Sequence, residues 1–161
     1  MRPAASPRFR PFATLLLAVL ALLGAVLPAQ AARSRDLGHD ERRGGHTLSR
    51  HVGLTDAQLR DRLRRERRIS AASTYTDRAT AESAAAAAIA ANRKRVERWE
   101  QRQGSRANLV IDWPGDGRVL GRSLRRGDRA PVPCTRALVI LKWDETSEVF
   151  HVRTSYPEVS R

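Results

Sequence analysis

Hydrophobic positions in the chain follow two rhythms that change near residue 107. Before that point apolar residues recur every three or four positions or crowd into alanine runs, the period of a helix; after it they alternate with polar ones, the period of a strand. In "LTDAQLRDRLRRERR" (54–68), Leu59 and Leu63 stand one turn apart, and Thr55 followed by Gln58 forms a capping box. "HTLSRHV" (46–52) suits one or two helical turns with Thr47 as the cap. "ISAASTYT" (69–76), β-branched and aromatic, reads as extended. "RATAESAAAAAIAANRKRVERWEQRQ" (78–103) predicts one long helix, because alanine has the best intrinsic helix propensity. Thr76 or Asp77 caps it, Ile89, Val96 and Trp99 fall near one stripe, and Gly104 ends it in a left-handed turn.

Beyond residue 107, "ANLVIDW", "RVLGRSL", "TRALVILKW" and "SEVFHVRTSY" are strand candidates, separated by the turns "PGDG", "RRGD" and "DETS". "RAPVPC" (129–134) carries two prolines and reads as a loop or an edge. Helices first and an antiparallel meander after them predict an α+β domain without βαβ alternation. Its expected extent is 44–161. "ARSRDLGHDERR" (32–43) reads as a flexible leader to it, with His39 inert.

The first 31 residues have a different character. Arg2, Arg8 and Arg10 precede an uncharged apolar run, Phe12–Leu27, which Pro28 breaks and "AQA" (29–31) follows. That is the layout of a secretory signal peptide, 1–31, cleaved after Ala31. A spanning helix needs about 20 apolar residues, so no membrane span is expected once the leader is removed. The expected location is secreted, extracellular or periplasmic.

Composition narrows the partner. Three of the 30 Lys and Arg lie in the leader, so the remainder sets 27 against 17 Asp and Glu, a net charge of +10. Nearly all these cations are arginines, whose planar fork matches phosphate in two-point contacts. A partner with many phosphates, such as a nucleic acid, is the leading candidate, anionic membrane surfaces the second, and a coding bias towards Arg and Ala explains the charge equally well without any partner. Cys134 is the sole cysteine, so no intramolecular disulfide exists, and it reads as a small buried apolar residue.

Metal chemistry finds little support in the histidines. His46 and His51, in "GGHTLSRHVG" (44–53), lie five residues apart, roughly 140° around a helix, and diverge. No second His or Cys cluster exists, and no metal or other cofactor is expected. Neither a G-x-S-x-G elbow nor a phosphate-binding G-x-x-x-x-G-K-[ST] loop occurs. Acid–base chemistry on a phosphodiester needs fewer parts: a base, a cation and a proton donor, with RNA supplying its own 2′-OH nucleophile. On a helical wheel with Leu59 at the origin, Arg62 falls at about −60°, inside or beside the apolar stripe. An anionic ligand explains an inward arginine; so does an aliphatic stem lying along the stripe's edge. In a regular last strand, Phe150, Val152, Thr154 and Tyr156 share one face, with His151 and Arg153 on the other. Thr154 and Tyr156 then stand side by side, as functional or as ordinary structural residues.

Taken in order, "GGHTLSRHVG", "LRDRL", "ASTYTDRATAE" and "VRTSYPE" resemble the bacterial RNase A-like toxin domain that ends some contact-dependent growth inhibition proteins. The resemblance covers roughly residues 43–158. It implies the fold of pancreatic-type ribonucleases without their disulfides, and metal-independent cleavage of RNA. It implies a catalytic His51, with Arg62, Thr154 and Tyr156 matching the family's arginine, threonine and tyrosine. His51 is then the base, Arg62 the phosphate clamp, and the two hydroxyls orient or protonate around the scissile phosphate. His46 is expected to contact substrate or to orient its loop. The family is held in check by a cognate immunity protein, which a basic cleft predicts to be acidic. Its domain usually ends a very large exported protein, whereas here a signal-like leader precedes it. The expectation is therefore a secreted, monomeric ribonuclease toxin of interbacterial competition. A non-catalytic cationic binder of nucleic acid or envelope polymers is the alternative.

Overall fold

The computed structural model describes residues 34–159, so the leader and its cleavage site lie outside the described residues. Three short helices come first: α1 (Leu37–Arg42), α2 (Thr47–His51) and α3 (Asp56–Arg65). They are followed by β1 (Ala71–Tyr75), α4 (Arg78–Ala91) and α5 (Arg93–Glu100). The chain then runs through β2 (Leu109–Trp113), β3 (Gly121–Arg125), β4 (Val132–Cys134), β5 (Arg136–Asp144) and β6 (Val149–Glu158).

The α+β class and the antiparallel pairing match the sequence pattern, but the strands do not form one meander. They divide into two three-stranded sheets, β1-β3-β4 and β2-β5-β6. β3 leaves its neighbour in sequence and pairs with β1, the extended segment between the helices. β4, the proline-bearing stretch, takes the edge beside β3. The Tyr75 hydroxyl and the Ser155 hydroxyl, 2.6 Å apart, join the sheets through β1 and β6.

The alanine run is a core face. Ala81, Ala84, Ala85 and Ala88 are buried at three- and four-residue spacing and pack with Ile111, Val139, Leu141 and Val152. Their small side chains let α4 lie close on the sheet β2-β5-β6. Its cap is Asp77, whose carboxylate accepts from the Thr80 amide. The single helix expected over 78–103 breaks at Asn92. There the backbone leaves the helical region, and the Asn92 side-chain amide donates to the Ala88 carbonyl, competing with the helical ladder. A smaller core joins α3 to the other sheet through Leu59, Leu63, Ala72 and Leu124, and the Thr55–Gln58 capping box forms as the sequence indicates.

The stretch read as a flexible leader is folded from residue 37. Leu37 is fully buried in the main core, and the Asp40 carboxylate is buried against the Arg35 guanidinium at 2.6 Å. The dense mixed charge that suggested solvation is partly an ion pair within this segment, whose Arg35 guanidinium also donates to the Phe150 carbonyl of β6 at 3.3 Å. The turn after α1 explains its double glycine. Gly44 has φ +94°, and a Cβ on Gly45 would stand 2.5 Å from the Val152 carbonyl of β6. This close approach docks the first helices on the last strand. Thr47 does not cap α2; His46 holds that position, and the Thr47 hydroxyl accepts from the Ser155 amide instead.

The last strand is not regular. Ile140 pairs with Thr154 and Leu141 with Val152, which leaves Arg153 as a bulge. Side-chain parity flips there. Val152, Ser155 and Pro157 oppose the buried residues Leu141, Val139 and Ala137. Thr154 and Tyr156 turn to the other face, so they do not continue the apolar row of Phe150 and Val152. His151 lies on their side of the strand, buried but outside their cavity.

Candidate active site

The bulge aims Thr154 and Tyr156 into an open cavity of about 760 Å³, which His46, His51 and Arg62 also line. All five residues singled out in the sequence thus meet in one place. They arrive from three elements: His46 and His51 bracket α2, Arg62 comes from the inward side of α3, and the hydroxyls come from β6.

His51 ends α2 and is 7% exposed. Its Nδ1 lies 3.2 Å from the Ser73 carbonyl of β1. A neutral ring in that position donates from Nδ1, which leaves Nε2 with its lone pair. Burial first, and then the Arg62 guanidinium, push the imidazole pKa down to about 3, against the Ser73 carbonyl, which raises it. At neutral pH His51 is therefore unprotonated. The Tyr156 ring stacks on it at 5.1 Å between centroids. Burial raises the Tyr156 phenol above its ordinary value, with the nearby Glu158 adding to the effect, so the hydroxyl keeps its proton. His46 is also held below the ordinary imidazole value, first by burial and then by Arg50 and Arg153.

Arg62 is anchored at its sides. Nη1 donates to the Arg50 carbonyl at 3.0 Å, and Nε stands 3.4 Å from the Glu66 carboxylate without an aligned hydrogen bond. Thr154 Oγ1 is buried with no partner among the described residues. Unsatisfied buried polar atoms are few in folded proteins, and the Thr154 hydroxyl, in the lining of the cavity, is open to a polar ligand. A base-ready imidazole, a guanidinium and two hydroxyls match an anionic group undergoing proton transfer.

Sequence reasoning missed part of the lining. The Ser73 carbonyl, which fixes the His51 tautomer, is a backbone group and leaves no mark in residue type. Arg68, Ser123, Arg125 and Glu158 also face the cavity. Arg68 and Arg125 were hidden among many other arginines. Three large aromatic residues lie away from the cavity: Tyr75 and Trp113 are buried in the main core, and Trp143 packs against it under the Arg106 guanidinium. Cys134 is buried as expected, and burial raises its thiol pKa to about 11.

Two antiparallel sheets joined through β1 and β6, with short N-terminal helices delivering a histidine and an arginine to a cavity beside β6, define a disulfide-free RNase A-like α+β domain. The chain belongs to the bacterial CdiA-CT RNase A domain family, whose family model matches residues 45–157. A crystal structure of a CdiA-CT/CdiI complex from Y. kristensenii 33638 is similar at 30% identity and a TM-score of 0.63, covering 71% of this chain and 99% of that one. No match was found among curated protein sequences.

Proposed function

We propose that the protein is a metal-independent endoribonuclease toxin that cleaves RNA by transphosphorylation at the cavity described. His51 Nε2 takes the 2′-OH proton, and the 2′-oxygen attacks the adjacent phosphorus. Arg62 and the Thr154 hydroxyl offset the charge that develops on the phosphoryl oxygens. The P–O5′ bond breaks, and the departing oxygen takes a proton from the hydroxyl side, where Tyr156 is held protonated. The products are a 2′,3′-cyclic phosphate and a 5′-hydroxyl. His46 contacts the substrate beside His51. The observation that carries this reading is a buried, neutral His51 whose Nδ1 is committed to a carbonyl, in one cavity with Arg62 and an unpartnered Thr154 hydroxyl.

The same reading includes RNA as substrate, action as a monomer and, by likeness to the CdiA-CT/CdiI complex, restraint by a cognate immunity protein of acidic character. Use in contact-dependent competition and export on the 1–31 leader complete it. The test is RNA cleavage by the purified protein in EDTA. His51→Ala should reduce the rate by about 10²–10⁴-fold, the scale of a lost general base, with cyclic phosphate ends in the wild-type product. Cleavage by His51→Ala at the wild-type rate would overturn the mechanism, and binding without any product would favour the cationic binder.

A further inference from the structure

The cavity holds a carboxylate that the cleavage chemistry does not use. Glu158 lines it as the sole carboxylate among the described lining residues, in a wall that otherwise offers Arg62, Arg68 and Arg125. It is half-buried and makes no hydrogen bond or ion pair among the described residues. The arginine opposite it in the strand pair, Arg136, is taken by Asp112. A free carboxylate beside a phosphate site weakens phosphate binding through like-charge repulsion, unless the ligand brings N–H donors to it.

We propose that Glu158 selects the nucleobase next to the scissile phosphate and favours guanine. This inference rests on the RNA-cleaving reading above. Thr154, Tyr156 and Glu158 follow one another on the same face of β6 at a two-residue period. Four residues of extended strand span about 13 Å. A nucleotide whose phosphate sits at Thr154 and Arg62 reaches with its base along this row, past Tyr156, to Glu158. Guanine alone among the four bases presents two adjacent donors, N1–H and the 2-amino group, which match the two carboxylate oxygens. Uracil offers a single N–H flanked by carbonyl oxygens that repel a carboxylate. Adenine and cytosine set their amino group beside a ring nitrogen lone pair. Ser123 also lines the cavity and adds a neutral hydroxyl to it.

The test uses the whole protein and DNA oligonucleotides that contain one cleavable ribonucleotide, with G, A, C, U or inosine as its base. The wild type should cut the guanosine substrate about 10- to 100-fold faster than the other three, the scale of a good two-point base contact. Inosine, which lacks the 2-amino group, should fall between. Glu158→Gln should bring guanosine to within about 3-fold of the other bases and leave those rates within about 3-fold of wild type. A structural role would lower all substrates alike, and that result would overturn the proposal, as would a wild type indifferent to the base. Binding of the corresponding non-cleavable 2′-O-methyl oligonucleotides separates the two readings. Guanine-selective binding that Glu158→Gln abolishes, without cleavage of any substrate, retains the Glu158 assignment and removes the ribonuclease mechanism. Base-indifferent binding removes the Glu158 assignment.

Discussion

A histidine at the surface titrates near 6.5, but His51 is not such a histidine. Burial and the Arg62 charge hold it unprotonated down to a pKa of about 3. A base must be unprotonated to act, so with His51 as the proposed base, lowering the pH from 7 to 5 should leave the free protein competent where an exposed imidazole would already be charged. The acid limb of kcat/KM is expected well below pH 6.5. A bound phosphate opposes the Arg62 charge and raises the pKa, so the acid limb of kcat should lie above that of kcat/KM. A pH–rate series on a short oligoribonucleotide checks both. A kcat/KM that halves near 6.5 would show that the base is a solvated histidine. The residue scale is also where the sequence was most legible. His51 and Arg62 stand in a short local motif, and the wheel turned Arg62 inward. What sets their chemistry, the Ser73 carbonyl and the degree of burial, arises only when β1 closes against α2.

At the scale of elements, the periodicities located the helices and strands, because each is a local property of the residues. Pairing and interruption are not local. The tie between β1 and β3 joins residues about 50 apart, and the break at Asn92 rests on one residue that favours helix ends, a weak local signal inside a strongly helical run. The bulge at Arg153 is the clearest case. An even alternation correctly set Thr154 beside Tyr156 but assigned them to the core face, because nothing in "FHVRTSY" announces an extra residue. The alanine helix yields a test of packing. Ala88 is fully buried against the sheet, whereas Ala90, two residues on, is exposed. Ala88→Leu forces three more carbons into a filled space and should cost about 1–3 kcal/mol. Ala90→Leu should stay within about 0.5 kcal/mol of wild type. Urea unfolding measures both, and equal effects would show that α4 does not pack on the sheet through this face.

For the molecule beyond its first 31 residues, a net charge of +10 suggested a polyanion from the outset, yet much of the positive charge serves the fold. Arg35 closes on Asp40, Arg43 on Asp144, Arg122 on Asp56 and Arg136 on Asp112, and Arg126 donates to the carbonyls of Glu66 and Ile69. Such arginines hold loops and strands and contribute little to a ligand at the cavity. Arg68 and Arg125 are different, since both line the cavity and neither side chain makes a hydrogen bond or ion pair among the described residues. With Arg62 they make three cations for the phosphates of a bound strand. Each neutralised phosphate of single-stranded nucleic acid contributes about −0.7 to the slope of log affinity against log salt, so three predict a slope near −2. Binding of a short non-cleavable 2′-O-methyl oligoribonucleotide to the protein, titrated from low to moderate salt, measures it. Arg125→Ala should bring the slope to about −1.4, whereas Arg136→Ala, at a residue committed to Asp112, should leave it unchanged. A slope that followed total charge rather than these three residues, falling equally for both variants, would mean that RNA is held by a diffuse positive field instead of a defined track through the site.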